Sequence, residues 1–510
     1  MEDLVSLIEA AEVVYARRPA AADSRRRLDV ADVADRSNRF AHAMRALVGT
    51  GPANVALLIG NRTEAVETDV GLVKGGLGRV SINPRLAADE VEYVIADSGA
   101  RVLVVDPAYR EAIDGRLDPS VTVLALDDSS PGGYESVMAS ASPTAARYAR
   151  GADDASLVMY TSGTTGRPKG AVWTFSSRAA AVRNMLLNEL DANAARTMAH
   201  VGSVSHGSGS KILPVYLRGG CSLLLERFEP QEFIEFVREN RVTATFVVPT
   251  MIQMLLDAAG PGDREALSTL IHTAYGGAKM PVALIQRAID EFGDRFVQVY
   301  GSCEAPHPVL YLDRNDHATG NPTVLNSSGR PVIGVAVRFG EELALPVEGA
   351  EGELMVAGPH LFAGYLGAPT ETEASFHHGY FRTGDIGRVV ADGVVEIVGR
   401  AKEVIISGGY NVYPAEVERV LTEHPDVAQS CVYGVADDHW GEMVCAALVP
   451  VAGRQLVNEE VLSYCRERLA GYKRPQEVRV FDSLPLGSTN KVQRDEVRRL
   501  HDRNGRSGDV

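Results

Sequence analysis

The sequence predicts a layered α/β fold with largely parallel sheets, followed by a smaller carboxy-terminal domain. Strand-like and helix-like runs alternate along the first half of the chain, which is typical of parallel sheets covered by helices. Short strands separated by turns replace this pattern after about residue 340. At 510 residues the chain is also too long for a single hydrophobic core, because such cores stop growing near about 250–300 residues.

The first elements follow one another as this fold requires. Residues 55–59 and 101–106 are apolar runs that predict buried strands, and residues 64–74 predict a helix between them. Segment 127–154 is rich in Asp, Ser, Pro, Gly and Ala, and we expect a surface connection there. The strand signal returns at residues 245–248 and 296–299.

The later elements predict a separate domain. An Asp392-Gly393 turn before the strand-like residues 394–398 predicts a hairpin. Pro414 suits the first position of a helix, because proline has no N–H to leave unpaired there. We therefore predict an amino-terminal domain over residues 1–399 and a carboxy-terminal domain over residues 400–510.

Composition describes an ordinary globular protein and excludes several classes. Apolar residues make up 45% and charged residues 23% of the chain. The net charge of −16 argues against general binding to nucleic acids or anionic membranes, which requires a basic surface. The chain has five sparse cysteines, no basic leader and no apolar run of membrane-spanning length. These features predict a cytoplasmic protein without integral membrane contact.

The strongest local signal is the eleven-residue string from Tyr160 to Gly170. It follows a strand-like run and combines three glycines with hydroxyls and a lysine. Glycines let backbone N–H groups approach an anion closely, so the string has the chemistry of a phosphate-binding loop. Its spacing is not that of a Walker A loop, and Pro168 disfavours a helix directly after it.

The string resembles the phosphate loop of the adenylate-forming enzymes, a superfamily of acyl-CoA synthetases, peptide-synthetase adenylation domains and luciferases. Six further motifs stand in the family's order along nearly the whole chain. They occupy residues 275–278, 298–304, 352–354, 380–385, 399–414 and 485–494. The resemblance implies a β-barrel-like part in the large domain and a mobile α+β carboxy-terminal domain that turns about a hinge at Lys402. It also implies ATP, Mg²⁺ and coenzyme A as cofactors.

The resemblance assigns individual residues to these ligands. ATP contacts are implied for Thr161, Ser162, Gly163, Thr164, Thr165, Gly166, Lys169, Gly276, Gly277, Ala278, Tyr300, Gly301, Ser302, Cys303, Asp385 and Arg400. Glu304 is implied as a catalytic residue that holds Mg²⁺, and Gly408 and Gly409 as contacts of the CoA pantetheine. Cys303 departs from the threonine of the family, and a thiol is a weaker hydrogen-bond donor than a hydroxyl.

Lys491 is the main catalytic candidate. Its surroundings resemble the family's Pro-x-x-x-x-Gly-Lys-x-x-Arg motif, with Asn490 in place of the glycine. A mobile ammonium between a carboxylate and the α-phosphate of ATP offsets the repulsion of two anions, most strongly in the transition state. Only seven of the 51 basic residues are lysines, so each lysine is a candidate for a role that needs a compact charge. Codon bias is the alternative explanation for that scarcity.

The acid pocket is predicted to begin at residues 203–209. Many acyl-CoA synthetases carry a histidine here, and His206 would gate the pocket or steady the substrate carboxylate; a purely structural histidine is the alternative. The segment lacks the Phe-Asp-x-Ser string of amino-acid-activating domains, which argues against an amino-acid substrate. Fatty, aryl and polycyclic acids all stay open.

We therefore predict an ATP-dependent acyl-CoA synthetase that forms an acyl-AMP and transfers the acyl group to CoA. An acyl-AMP ligase that loads an acyl-carrier protein has nearly the same sequence, and a chain end at Val510 without a fused carrier domain favours CoA. A non-catalytic nucleotide or acyl binder is the alternative of another class, motivated by Cys303 and Asn490. We expect no nucleic-acid partner, and a homodimer is one candidate assembly.

Overall fold

A computed structural model describes residues 3–161, 168–260, 262–407, 410–437, 440–486 and 492–505. Internal contacts divide the chain into two compact units. Unit 1 comprises Met1–Val337, Val356–Phe381 and Ala391–Val395, and unit 2 comprises Arg338–Met355, Arg382–Val390 and Glu396–Val510. The domain boundary at residues 399/400 and the hinge at Lys402 stay predictions.

Helices and strands alternate up to the predicted phosphate loop. They are α1 (Leu4–Tyr15), β1 (Pro19–Ala22), β2 (Arg27–Asp29), α2 (Val30–Val48), β3 (Asn54–Leu58), α3 (Glu64–Gly75), β4 (Gly78–Ser81), α4 (Ala88–Ser98), β5 (Val102–Val105), α5 (Pro107–Ile113), β6 (Thr122–Ala125), α6 (Tyr134–Ser140) and β7 (Ala155–Thr161).

The alternation continues beyond the loop. The elements are β8 (Lys169–Thr174), α7 (Phe175–Asn188), β9 (Thr197–His200), α8 (Ile212–Leu217), β10 (Cys221–Leu224), α9 (Pro230–Asn240), β11 (Ala244–Val247), α10 (Pro249–Ala258), α11 (Asp263–Ala266), β12 (His272–Tyr275), α12 (Val282–Phe292), β13 (Phe296–Tyr300), β14 (Leu310–Leu312), α13 (Arg314–Ala318), α14 (Pro322–Leu325) and β15 (Arg330–Pro331).

Short strands dominate the remainder, as predicted. The elements are β16 (Ala336–Phe339), β17 (Glu351–Ala357), β18 (Gly364–Tyr365), α15 (Pro369–Ala374), β19 (Phe376–His377), β20 (Tyr380–Val389), β21 (Val395–Arg400), β22 (Ile405–Ser407), β23 (Tyr410–Val412), α16 (Pro414–Thr422), β24 (Val427–Asp437), β25 (Gly441–Pro450), α17 (Asn458–Arg468), β26 (Glu477–Val480) and α18 (Arg494–Gly505).

Two large, mostly parallel sheets form the framework of unit 1. One has nine strands in the order β15-β14-β13-β12-β11-β9-β10-β1-β2, and the other has seven in the order β18-β8-β7-β4-β3-β5-β6. Among the residues that the structure describes, the antiparallel pairs lie toward the ends of the sheets, for example between β7 and β8 and between β13 and β14. Helices cover both sheets because near-continuous apolar strands such as β5 must be buried on two faces.

Two smaller sheets contain the short strands. A five-stranded sheet orders β16, β17, β20 and β19, with β21 on β20, so the predicted hairpin at Asp392-Gly393 is confirmed. A second five-stranded sheet in unit 2 orders β23, β22, β25 and β24, with β26 on β25. The helix predicted from Pro414 is confirmed as α16, and its buried side chains pack on this sheet.

The predicted surface connection at 127–154 is wrong in part. It contains the helix α6, which begins with the fully buried Tyr134. The Tyr134 hydroxyl donates to Glu67 at 2.7 Å, and Arg36 pairs with the same carboxylate. Tyr134 and the buried Met138 thus anchor a stretch whose composition is otherwise that of a loop. Among the residues that the structure describes, no helix is both long and apolar enough to cross a membrane.

Candidate active site

The predicted phosphate loop joins two antiparallel strands. Thr161 at the end of β7 pairs with Lys169 at the start of β8, and the Thr161 hydroxyl lies 3.5 Å from the Lys169 carbonyl oxygen. A strand therefore follows Pro168, which confirms that this is not the strand–loop–helix of a P-loop. The other implied ATP contacts of the string, Ser162, Gly163, Thr164, Thr165 and Gly166, lie outside the described residues.

Glu304 and Lys169 belong to one polar cluster. The Tyr365 hydroxyl donates to Glu304 Oε1 at 3.0 Å, and Lys169 Nζ lies 5.6 Å from the centre of the same tyrosine ring. Lys169 Nζ is also 3.7 Å from Glu371. Burial, and then the charge of Glu304, raises the pKa of Tyr365, so its phenol keeps the proton that it donates. Two residues predicted from separate motifs thus meet around one aromatic side chain.

The loop after β13 is shaped by a hydroxyl. Ser302 Oγ accepts from the backbone N–H groups of Glu304 at 3.2 Å and Ala305 at 3.0 Å. The Trp173 indole of β8 donates to the Cys303 carbonyl oxygen at 2.6 Å. Because this contact uses the backbone of Cys303, the attachment of the loop to the β7–β8 hairpin is independent of the thiol that replaces threonine.

His206 lines a small cavity to which the same tryptophan also contributes. Its Nδ1 is 2.8 Å from Ser205 Oγ, and both residues line a cavity of about 10 Å³ together with Trp173 and Arg79. This volume holds about one water molecule. The Arg79 Nε, fully buried, has no hydrogen-bond partner within the described part of the chain. His206 is thereby placed beside the hairpin that also contacts the loop of Glu304.

The glycine motif after β12 lies at the same edge of the nine-stranded sheet as the loop of Glu304 after β13. Strands β12 and β13 run parallel, with Tyr275 paired to Gln298, so both loops follow carboxyl ends of strands. A Cβ on Gly276 would lie 2.4 Å from the Val299 carbonyl oxygen, and Gly277 has a φ of +78°. Ala278 follows them at the surface. In open α/β sheets this edge is where ligands bind.

Two predicted residues of unit 2 pair with each other. Arg400 Nε lies 2.6 Å from Asp385 Oδ1, and its Nη1 donates to the Thr383 carbonyl oxygen at 3.3 Å. Asp385 is buried, whereas the Arg400 side chain is nearly half exposed. Arg382, in the same motif as Asp385, forms an ion pair with Glu353 at 2.8 Å. Asp385 is thus a buried carboxylate that is paired with Arg400.

The segment around the catalytic candidate is anchored on both sides. Leu486 and Val492 form an isolated β-bridge, and Lys491 itself lies outside the described residues, as do Gly408 and Gly409. Arg494 donates to the Val432 carbonyl oxygen at 2.7 Å and to Glu418 at 2.7 Å. The hinge candidate Lys402 is exposed in a short 3₁₀ turn.

Sequence patterns did not indicate the two aromatic residues that join these loops. Trp173 and Tyr365 belong to no chemistry-bearing motif, and they reach Cys303 and Glu304 across 130 and 61 residues of chain. Only their proximity to a motif, Trp173 three residues after Gly170, offered a local signal.

Comparison with known proteins identifies the family. The AMP-binding enzyme family matches residues 8–366, and the carboxy-terminal domain of AMP-binding enzymes matches residues 416–491. A feruloyl-CoA synthase from an Amycolatopsis species is 38% identical over 483 residues, which cover 92% of this chain and 94% of that protein. The fatty acid–acyl-carrier-protein ligase ScoC of Streptomyces coeruleorubidus is 33% identical, covering 91% and 89%.

Solved structures agree with this result. The o-succinylbenzoate CoA synthetase of Bacillus subtilis, in complex with its acyl-adenylate intermediate, superposes with a TM-score of 0.84 at 26% identity, covering 96% of this chain and 97% of that one. The α/β fold predicted from the sequence is therefore confirmed. The chain belongs to the AMP-binding enzymes, in the CoA-ligase branch of the adenylate-forming superfamily, and is an ATP-dependent, AMP-forming acyl-CoA synthetase.

Proposed function

We propose that this enzyme activates a carboxylic acid at the carboxyl edge of its nine-stranded sheet and that free CoA is the acceptor. In the first step a carboxylate oxygen attacks the α-phosphorus of ATP, and the bond to pyrophosphate breaks. In the second step the CoA thiolate attacks the acyl carbonyl carbon, and the bond to AMP breaks. The observation that carries the proposal is the cluster in which Tyr365 joins Glu304 to Lys169 beside the predicted phosphate loop.

The residues around this cluster receive the following roles. Loop 162–170 holds the β- and γ-phosphates. Gly276 to Ala278 lie along the adenine and the acyl pocket, and Tyr300 packs near the adenine. Gly301 to Cys303 belong to the ATP site. Asp385, oriented by Arg400, accepts hydrogen bonds from the ribose hydroxyls. His206 gates the acid pocket or steadies the carboxylate.

Glu304 is the proposed holder of Mg²⁺. Its half-buried carboxylate offers hard oxygen ligands of the kind that Mg²⁺ prefers, and one oxygen is already oriented by Tyr365. Mg²⁺ supplies positive charge next to the phosphates when it is bound. The residues present therefore fit this ion.

Lys491 acts in the first step, and a turn of the carboxy-terminal domain about Lys402 separates the two steps. After the turn, Gly408 and Gly409 would admit the pantetheine of CoA, because glycines allow close passage of backbone and ligand. Hinges of this kind are element-terminal residues, and Lys402 follows the end of β21.

Acid-dependent exchange of pyrophosphate into ATP tests the first step. We expect Lys491→Ala to lower the exchange rate by about 100–1,000-fold, the usual loss for a preorganised electrostatic contact. Lys473→Ala is the matched control, since Lys473 pairs with Glu416 at 2.6 Å and has no proposed catalytic role. Exchange at the wild-type rate in Lys491→Ala contradicts the assignment, and its absence in the wild type favours a non-catalytic binder.

A carrier protein is the competing acceptor, and the similarity to ScoC supports testing it. Purified acyl-AMP is offered to the enzyme with equimolar CoA and a holo-carrier protein. We expect acyl-CoA to be the main product; preferential loading of the carrier contradicts the proposal. A cytoplasmic location and a homodimer are further predictions for fractionation and sedimentation.

A further inference from the structure

A buried polar cluster lies on one face of the nine-stranded sheet, outside the chemistry assigned above. It consists of Glu189, Lys211, His272 and His307. Glu189, just after α7, forms an ion pair with Lys211, and both side chains are fully buried. His307 Nδ1 lies 3.8 Å from Glu189 Oε2, and His272 Nε2 lies 4.0 Å from Oε1. Burial raises the pKa of Glu189, but the charge of Lys211 outweighs it and holds this pKa well below its usual range.

The cluster begins directly behind the loop of Glu304. A Cβ on Gly301 would lie 2.6 Å from the backbone nitrogen of His307, so the two backbones are in contact. The His307 ring stacks on Phe246, with centroids 5.7 Å apart and planes at 17°. Gly207, in the predicted acid pocket, lies against both rings, since a Cβ there would be 3.4 Å from Phe246 and 3.6 Å from His307 Nε2.

Strand β12 runs from the cluster to the adenylation edge of the sheet. His272, Ala274 and the following Gly276 face the same way, because side chains alternate along a strand. Their register partners on β11 are Ala244 and Phe246. Four residues of strand separate Gly276 from His272, a distance of about 13 Å. A flat acid with its carboxylate near Gly276 would therefore direct its far end toward the cluster.

Three buried atoms of the cluster lack a hydrogen-bond partner among the residues described: Glu189 Oε2, His272 Nε2 and His307 Nδ1. Ser210 explains the state of His307. Its Oγ donates to the Gly207 carbonyl oxygen at 2.7 Å and lies 3.2 Å from His307 Nε2. Because the single hydroxyl proton is used on Gly207, the Ser210 oxygen accepts a hydrogen bond from His307 Nε2–H. Nδ1 then presents a lone pair to the Glu189 oxygen. Two acceptors face each other, and a hydrogen-bond donor is missing between them.

The charge balance restricts the missing donor to a neutral group. Glu189 and Lys211 neutralise each other, and burial, followed by the charge of Lys211, lowers the pKa of His307 and keeps it neutral. A charged ligand group would stay uncompensated in this low-dielectric interior, which is costly. A hydroxyl supplies the donor without adding charge.

We propose that the cluster is the far end of the acid pocket and selects aryl carboxylic acids with a phenolic hydroxyl opposite the carboxylate. The hydroxyl donates its hydrogen bond into the gap between Glu189 and His307, while the aromatic ring lies against Phe246. The inference rests on the proposed function, because it concerns the acid activated by that site.

Three acids that differ only at the far end test the inference on the full chain. Pyrophosphate release is measured with 4-hydroxycinnamic, 4-methoxycinnamic and unsubstituted cinnamic acid. We expect kcat/KM for the hydroxy acid to exceed that for cinnamic acid by about 10–100-fold, the value of one hydrogen bond to a charged acceptor. The methoxy acid, which has no donor, should not exceed cinnamic acid. Equal values for the hydroxy and unsubstituted acids, as expected if a water fills the gap, overturn the inference.

A histidine variant assigns the preference to the cluster. His307→Leu removes the Nδ1 acceptor but leaves the Glu189 carboxylate, so the hydroxy-to-unsubstituted ratio should fall severalfold without reaching one. His317→Gln is the matched control, because His317 is also buried but has partners on both nitrogens, Tyr275 at 2.9 Å and Asp313 at 2.6 Å. An unchanged ratio in soluble His307→Leu overturns the inference. If this variant is insoluble, the wild-type panel still decides. Lack of pyrophosphate release with every acid, fatty acids included, contradicts the proposed function itself.

Discussion

Two buried lysine–glutamate pairs of unit 1 differ in how completely their polar atoms are satisfied. Lys74 Nζ contacts Glu12 at 2.7 Å, Ser37 Oγ at 2.9 Å and Asn38 Oδ1 at 2.8 Å. This set matches the three donors of an ammonium. Glu12 retains some exposure to water, with 15% of its side chain accessible. The Lys74 pair is therefore a complete structural contact at the rim of the helical layer.

The pair of Lys211 and Glu189 is deeper and incomplete. Neither side chain is accessible, and the ammonium faces the Phe246 ring at 5.2 Å. One oxygen of Glu189 lacks a partner among the described residues. A buried acceptor without a partner costs about 1–3 kcal/mol, so its retention needs a compensating role. Buried charge is common to both pairs, and the hydrogen-bonding atoms without a partner distinguish a binding site from a structural ion pair.

Removal of the lysines should give the largest contrast. We expect Lys211→Met to lower the free energy of unfolding by about 3–5 kcal/mol, because Glu189 is left as an uncompensated buried charge. Lys74→Met should cost about 1–3 kcal/mol, since Glu12 can reach water. Urea denaturation monitored by tryptophan fluorescence measures both. Equal losses in the two variants would mean that the unpartnered, fully buried Glu189 carboxylate has no effect on the free energy of unfolding.

A double variant sharpens this result. Lys211→Met combined with Glu189→Leu removes both charges, and apolar replacement of a buried pair is often neutral. We expect most of the stability lost in Lys211→Met to return. Continued instability of the double variant contradicts an electrostatic origin of the loss.

The buried His200 should make stability depend on pH in a different range from the Lys211–Glu189 pair. Burial lowers the pKa of His200 from 6.5 to about 4, although its ring nitrogens lie 3.1 Å from Ser208 and Ser222. Between these values the unfolded chain binds a proton that the folded chain does not, so stability falls as the pH decreases from 6.5 toward 4. The loss amounts to about 3 kcal/mol. Glu189, whose pKa lies well below 4.5, contributes its loss only below that pH.

Urea midpoints at pH 7, 5.5 and 4.5 check this prediction. His200→Gln should flatten the dependence between pH 6.5 and 4.5 relative to the wild type. Identical slopes for the two proteins would exclude His200 as the titrating group.

Patterns within a short stretch of sequence predicted most of the fold. Apolar runs bounded by helices gave correct strands at 55–59 and 101–106, because burial on both faces leaves a local signal. The motifs likewise indicated Glu304 and Lys169 as site residues, each from its own stretch of sequence. The helix beginning at Tyr134 was missed, because one buried aromatic residue does not change the composition of a segment.

Contacts across the chain could not be predicted in the same way. Glu189 and His307 are 118 residues apart, and no period or spacing relates them. The scarcity of lysine was nevertheless informative. Lys74, Lys211 and Lys473 all pair with glutamates. A compact ammonium suits the enclosed positions of Lys74 and Lys211, where the planar fork of arginine needs more space, whereas Lys473 is partly exposed.

Removal of one hydroxyl at the adenylation cluster should have an intermediate effect. Tyr365→Phe leaves the ring but deletes the donor to Glu304, and we expect acid-dependent pyrophosphate exchange to fall about 5–10-fold. Tyr148→Phe is a control, because that hydroxyl contacts His42 at 2.7 Å, away from the site. Wild-type exchange in Tyr365→Phe would show that Glu304 needs no orientation by the phenol.

The smallest change in stability is expected at Gly207, beside the Lys211–Glu189 pair. An added Cβ would meet Phe246 at 3.4 Å and His307 at 3.6 Å, which are ordinary contact distances. We therefore expect Gly207→Ala to change the free energy of unfolding by about 0.5 kcal/mol or less, as surface-like substitutions do. The methyl group would still occupy space where the ring of the acid is proposed to lie, so kcat/KM for substituted cinnamic acids should fall more than that for short aliphatic acids. A uniform fall for all acids would instead mean that Gly207 maintains the conformation of its loop and does not leave space for the ring of the acid.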